Sequence, residues 1–346
     1  MSRTDDIIDK TKRKEPEAKK WKVVVGIVVG LVFGGALFAC GLMICDVDNY
    51  LSKKDIVMLY DFYDWHESVN ETAVYFIGNS VIGSAIYPPD INNILLDDGS
   101  DIKAYNLYIS GESILERTLQ INALIESNPS MVIYGITYAD VSGNGSITSE
   151  RAILVQDRIN LNKDAEYLFT ESELEDIYVN KPDLFFKKSF VKSAVSYKLF
   201  GSTDWNTDVD FYEDPRGMDH RLKKSNEKNY ALIVAEANDE DNMWHPIVTN
   251  ETTRSKDALL YIIKKLQDAD IPVVIINMPL HPLISAEIDE ESRENYFEFL
   301  NQTGVTWVDM ENLFGDEYFY DSHHATWIGT QLITPVMADL IIQEMS

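Results

Sequence analysis

The chain is poor in cysteine, with only Cys40 and Cys45 in 346 residues. That count excludes a disulfide-rich scaffold. It is also short of positive charge, with 30 bases against 57 acids and a net charge of −27. Phosphate would be repelled over most of such a surface, which excludes a nucleic-acid partner. No histidine–cysteine cluster has zinc spacing, and no glycine-rich phosphate loop follows a strand. Neither a metal nor a cofactor is therefore expected. Internal repeats and low-complexity tracts are absent. The hydrophobic share is 45% and the aromatic share 11%, so the chain has the material for a packed core and is not disordered.

The scarce bases are unevenly placed. Residues 1–45 hold eight bases and five acids, which leaves 22 bases and 52 acids, a net of −30, for the rest. Val23 to Cys45 is a run of 23 residues without a charge. About 20 apolar residues span a bilayer as a helix. Bases precede the run, and Asp46 and Asp48 follow it, so the N-terminus is expected in the cytoplasm and the body outside. Gly26, Gly30 and Gly34 recur at a spacing that permits close helix pairing, although glycines are common in membrane helices. Leu37-Phe38-Ala39-Cys40 faintly resembles a lipoprotein cleavage box. The apolar run continues through Met43 and Ile44, beyond the length of a signal peptide, so an uncleaved anchor is expected. Both cysteines fall in it, and the body must rely on packing rather than disulfides. Sequons at Asn70, Asn144, Asn250 and Asn301 fit an exported domain.

The expected organisation is a basic tail over 1–22, a transmembrane helix over 23–45, a helical stalk over 46–70 and an external domain over 71–346. Short apolar runs in that domain predict strands at Val74–Ile77, Ala104–Ile109, Met131–Ile136, Pro272–Asn277 and Val305–Val308. Between them lie helix signals. Ser113 and Glu116 form a capping-box pattern. Leu259, Ile262, Ile263 and Leu266 repeat at helical spacing. Thr326 to Glu344 predicts a closing helix, kinked or divided at Pro335. Strands alternating with helices imply an α/β fold with a parallel sheet covered on both faces. Residues from about 141 to 256 break the rhythm and predict an insertion or cap. It includes a helix over Ser189–Phe200 and the aromatic surface candidates Trp205, Trp244 and His245.

Ligands bind beyond the carboxyl ends of strands in open parallel sheets. Those ends carry Gly78-Asn79-Ser80, Ser110-Gly111, Thr137-Tyr138-Ala139-Asp140, Pro279-Leu280-His281 and Asp321-Ser322-His323-His324. The set suits nucleophilic catalysis. Ser80 needs a base to remove its proton, and His324 can be that base. Asp321, three residues earlier, can fix the imidazole tautomer. The N–H groups of Ser80 and Gly111 can hold an oxyanion. Asn79, Thr137, Tyr138, Asp140, His281 and His323 are candidates for contacts with substrate. For His281 a structured loop, and for Asp140 a turn cap, are the competing readings. His323 competes with His324 for the base, and the three-residue spacing favours His324.

Gly78-Asn79-Ser80, the stretch Asn106 to Gly111, and Asp321-x-x-His324 resemble the SGNH (GDSL-like) hydrolase superfamily over roughly residues 72–140 and 257–345. The resemblance implies a flavodoxin-like three-layer α/β/α sandwich. It implies Ser80 as nucleophile, Gly111 as oxyanion donor, and Asp321 with His324 as the remaining pair. Two positions depart from the pattern. Asn79 stands where the family has aspartate, and Ala139, before Asp140, stands where it has the third oxyanion donor. The whole layout is similar to the D-alanyl transfer proteins of teichoic-acid modification and to SGNH-type polysaccharide O-acetyltransferases, which work with membrane-bound acyltransferases. An esterase or O-acyltransferase acting on acyl esters, with acetylated surface glycans as the substrate class, is therefore expected. A catalytically silent surface-binding module on the same fold is the alternative, and Ala139 is its support.

Overall fold

The computed structural model describes residues 17–44, 55–179, 228–238 and 246–345. Residues 1–16 of the expected tail over 1–22, the helix over 189–200, and Trp205, Trp244 and His245 lie outside the described residues. The chain divides into two units, 1–50 with 182–204, and 51–181 with 205–346. In the first unit, helix α1 (Glu17–Ile44) is described, with exposed side chains from Trp21 to Leu37. The side chains of residues 38–44 are outside the described set. Among the described residues, no helix is long and apolar enough to cross a membrane.

The second unit opens on α2 (Asp55–His66), then β1 (Ala73–Gly78), α3 (Ser80–Ala85), α4 (Pro88–Asp97), β2 (Lys103–Asn106), α5 (Ile114–Glu126) and β3 (Met131–Ile136). Helix α6 (Tyr138–Ser142) follows β3 directly, and the insertion contributes α7 (Ser149–Leu154), α8 (Glu171–Tyr178) and α9 (Tyr230–Ala237). The regular pattern resumes with α10 (Arg254–Asp268), β4 (Val273–Asn277), α11 (Pro282–Ser285), α12 (Glu290–Gln302), β5 (Thr306–Asp309) and α13 (Trp327–Met345).

All five strands run parallel in the order β2-β1-β3-β4-β5. This is the flavodoxin-like order, with its switch point between β1 and β3. The side-chain period of two divides each central strand between two cores. Val74, Phe76, Met131, Ile133, Val274 and Ile276 face α3, α4 and α13. Tyr75, Ile77, Val132, Tyr134, Val273 and Ile275 face α2, α5, α10 and α12. Burial on both faces explains why these strands read as continuous apolar runs. β5 closes the edge with exposed Thr306 and Asp309.

Three expectations change. Strand β2 ends at Asn106, although Leu107 N–H and Ile109 N–H still bond the carbonyls of Phe76 and Gly78 at 2.7 and 3.0 Å. Pro335 sits inside a single helix of 19 residues, without dividing it. The stalk over 46–70 is not supported across α2, because its apolar residues pack into the core. Phe62 lies 5.5 Å from Tyr75 and 5.1 Å from Tyr105, ring to ring. Tyr60, Phe62 and Tyr63 are each 1% exposed. Residues 46–54 of the expected stalk lie outside the described residues.

Gly78 turns the chain from β1 toward the site. Its φ is +137°, and a Cβ there would lie 2.5 Å from the Gly135 carbonyl oxygen. An L side chain meets both a backbone penalty and a clash with an immobile strand. Gly78→Ala is expected to cost about 3 kcal/mol in urea unfolding. A loss under about 1 kcal/mol would show that the strand end relaxes freely.

Candidate active site

The first wall is the β1–α3 junction. Asn79 is the N-cap of α3, with Oδ1 accepting from Val81 N–H at 2.9 Å. Ser80 therefore begins a helix, where its own N–H has no intrahelical acceptor. Asn106 supports the far end of α3 by donating to the Gly83 and Ile86 carbonyls.

The second wall is the loop before α13. An antiparallel bridge joins Phe319 to Ala325, and Tyr320 N–H donates to the His324 carbonyl at 2.8 Å. Asp321 Oδ1 accepts from the N–H groups of His323 and His324 at 3.1 and 2.8 Å. Its Oδ2 takes His324 Nδ1 at 2.7 Å. A carboxylate only accepts, so Nδ1 carries the hydrogen and Nε2 of the neutral ring is an acceptor. Nε2 lies 2.8 Å from Ser80 Oγ. The expected serine, histidine and aspartate are thus brought together across 244 positions of sequence. Ser84 fastens the two walls. Its Oγ accepts from Ala325 N–H at 3.1 Å, and its carbonyl accepts from Thr330 Oγ1 at 3.0 Å.

Burial opposes charge on Asp321, but the His324 hydrogen bond and the neighbouring imidazoles outweigh it. Its carboxyl is held well below the usual carboxylate range. His323 is 9% exposed, and its Nδ1 lies 2.8 Å from Ser322 Oγ. Burial, reinforced by repulsion from His324 and opposed by Asp321, pushes His323 down to about 3. It is a neutral packing neighbour of His324, with ring centres 3.9 Å apart. Asp321, His323 and His324 offer three possible metal-ligand atoms within 4.8 Å of one another. In this geometry His324 Nδ1 and Asp321 Oδ2 are committed to each other, and His324 Nε2 to Ser80.

Asp140 links the third wall to the first. Its Oδ2 accepts from Thr137 N–H and Thr137 Oγ1 at 2.7 and 2.9 Å, and its Oδ1 from Asn79 Nδ2 at 2.8 Å. Burial pushes its carboxyl up to about 6 against the pull of these donors. Asp140 is therefore a cap of α6 that also holds Asn79, the residue before Ser80. Thr137 follows β3 as the N-cap of α6, and Ala139 is the second residue of that helix. Two candidates face elsewhere. Tyr138 is fully buried, its ring 4.2 Å from Tyr296 and its hydroxyl 2.6 Å from Glu311. His281 is buried as the N-cap of α11, with Nε2 2.6 Å from Asp316, and its N–H holds the Ser322 carbonyl. It braces the Asp321–His324 loop from behind.

Gly111 follows Ile109, which bonds Gly78, at the same sheet edge. Among the described residues, the N–H groups of Ser80 and Gly111 have no acceptor. Behind Gly111, the buried Glu112 pairs with Arg117 Nε at 3.0 Å and with Gln120 at 2.7 Å. Burial lifts the Glu112 carboxyl to about 7 despite Arg117. Sequence reading missed Ser84, Glu112 and Arg117. Only the acidic Glu112 beside Gly111 and the lone Arg117 within an apolar helical face signalled them. The capping box at Ser113 is half made. Ser113 Oγ accepts from Glu116 N–H, while the Glu116 carboxylate turns to Thr148 and Arg151.

A family model matches residues 216–346, a span that includes Asp321 and His324. Among curated proteins, none matches. Several solved structures are similar. One is the psychrotrophic esterase EstA from Pseudoalteromonas sp., at 11% identity and a TM-score of 0.36, covering 80% of this chain and 99% of that one. Another is the acetyl xylan esterase AlAXEase, at 10% and 0.37, covering 78% and 99%. A third is AlinE4, an SGNH-hydrolase family esterase, at 13% and 0.30, covering 81% and 100%. Such values carry neither activity nor substrate over to this chain.

The neutral His323 gives a signed expectation. Its folded value lies below the unfolded 6.5, so the unfolded chain gains a proton first, and stability falls as pH drops below 6.5. The stability of the native chain minus that of His323→Gln is expected to fall by about 2 kcal/mol between pH 7 and pH 5. The difference cancels contributions from Glu112 and Asp140, which have the opposite sign. A pH-independent difference would contradict the assignment.

Proposed function

We propose that this chain is a membrane-anchored, extracytoplasmic serine esterase or O-acyltransferase acting on acyl esters, chiefly acetyl esters of cell-surface glycans. The hydrogen-bonded line from Ser80 through His324 to Asp321, at 2.8 and 2.7 Å, carries the reading. Ser80 Oγ bonds to the acyl carbon as its proton passes to His324 Nε2. The carbonyl electron pair moves onto oxygen, held by the Ser80 and Gly111 N–H groups. Collapse re-forms the carbonyl and breaks the ester C–O bond, and the alcohol leaves with the proton from His324. Water or a sugar hydroxyl then attacks the acyl-serine and gives its proton to His324. Ser80 departs as that proton returns to it. Asp321 holds the imidazole in the required tautomer and stabilises its cation.

The anchor and its orientation are supported by the uncharged run Val23–Cys45, with bases before it and acids after. The glycan and a membrane-bound acyltransferase as partner are supported by the layout described above. One observation favours the silent-module alternative. Thr137 commits both its N–H and its hydroxyl to Asp140, so it presents no spare side-chain donor.

Ser80→Ala is expected to lower kcat on an aryl acetate by about 10⁴-fold or more, and to abolish labelling by a fluorophosphonate. Asp321→Asn is expected to lower kcat by about 10³–10⁴-fold. A folded native chain that neither hydrolyses the ester nor takes the label would return the silent module.

A further inference from the structure

We infer that Arg151, supplied by the insertion, latches the Ser110–Gly111 peptide so that the Gly111 N–H points into the site. The inference rests on Gly111 being an oxyanion donor in the proposed reaction. Ile109 to Glu112 form a β-turn, closed by Glu112 N–H to the Ile109 carbonyl at 3.1 Å. Gly111 is its third residue, with φ +64°, while Ser110 is not among the residues of positive φ. That combination is the type II turn. The type I turn has the same ends and differs by a flip of the central peptide. Here the central peptide is Ser110–Gly111. In a planar trans peptide the C=O and N–H point in opposite directions, so fixing one fixes the other.

Arg151 fixes the C=O. Its Nη2 donates to the Ser110 carbonyl oxygen. Its Nη1 donates to Glu116 Oε2 at 2.9 Å. Glu116 is itself immobile, being buried, with Oε1 accepting from Thr148 N–H at 2.7 Å. The planar fork of an arginine suits this two-point hold, and a lysine ammonium does not reproduce it. The turn's exit is pinned separately, through Glu112 to Arg117 and Gln120. The ends are thus held by the core, and the one remaining freedom is the peptide that Arg151 grips. Arg151 is a positioning residue.

The test compares the full native chain with Arg151→Ala, Gly111→Ala and the double variant. A Cβ at Gly111 meets nothing within 4 Å, so that substitution acts through the turn's conformational preference rather than by a clash. Each single variant is expected to lower kcat on an aryl acetate by about 10- to 100-fold, with KM within about threefold, since an oxyanion contact acts chiefly in the transition state. The double variant should fall little below the weaker single, because both release the same peptide. Arg151→Lys should recover only part of the loss, and it serves as the test if Arg151→Ala does not fold. Unchanged kcat in Arg151→Ala, or losses that multiply, would overturn the latch while leaving the esterase reading intact. A second readout is independent of activity. Carbonyl-labelled serine with nitrogen-labelled glycine marks only the pairs 110–111 and 142–143. The Gly111 amide resonance should shift or broaden in Arg151→Ala, and an unmoved resonance would overturn the latch whether or not the chain hydrolyses esters.

Discussion

The Asp321 carboxylate takes three N–H donors within one short loop: two from the backbone of His323 and His324, and one from the His324 ring. The same group folds the loop and sets the tautomer of the imidazole that faces Ser80. Each N–H also strengthens the case for a charged carboxylate in a buried place, where an unpaired charge would be costly. Local folding and the chemistry of the site therefore share one anion. The walls around it serve this arrangement, through Ser84 from α3 and His281 from behind the loop.

A body this acidic has to manage the acids it buries. Glu112 is matched by Arg117 and Gln120, Glu311 by Arg293, Tyr138 and Ser285, and Asp140 by Asn79 and Thr137. Each cluster lies at the carboxyl end of a strand or just beyond it. Removing one partner would strand a charge, so these clusters hold the strand ends in one arrangement rather than several. The Asn79–Asp140 pair is the clearest case. It bridges the ends of β1 and β3 across the switch point of the sheet, immediately beside Ser80. The insertion belongs to the same plan. Its described parts bury Ala152, Val155, Leu168 and Ile177 in the main core and send Glu116 its partners.

Much of this was legible beforehand, and for local reasons. Buried parallel strands must be apolar runs, so Val74–Ile77, Met131–Ile136 and Pro272–Asn277 stood out. Polar side chains at strand ends sit in short turns, which is why Ser80, Asp321 and His324 could be picked without a structure. The misreadings share a different cause. Tyr138 and His281 follow strands as the others do, but their side chains turn inward to Glu311 and Asp316, 173 and 35 positions away. The helix over 55–66 looked like a charged stalk because its Asp61 and Asp64 are exposed, while its aromatic face was waiting for Tyr75 and Tyr105.

The sequence by itself determined the α/β alternation, the strand-end position of Ser80, and the three-residue spacing that lets Asp321 reach His324. Those follow from periodicity and chain geometry over a few residues. Only the tertiary structure decided which side chains meet. It joined Ser80 to His324 and Asn79 to Asp140. It turned the Thr137 side chain to Asp140, and it brought Arg151 to the carbonyl of Ser110. These pairings depend on contacts between segments distant in sequence, and no local propensity encodes their direction.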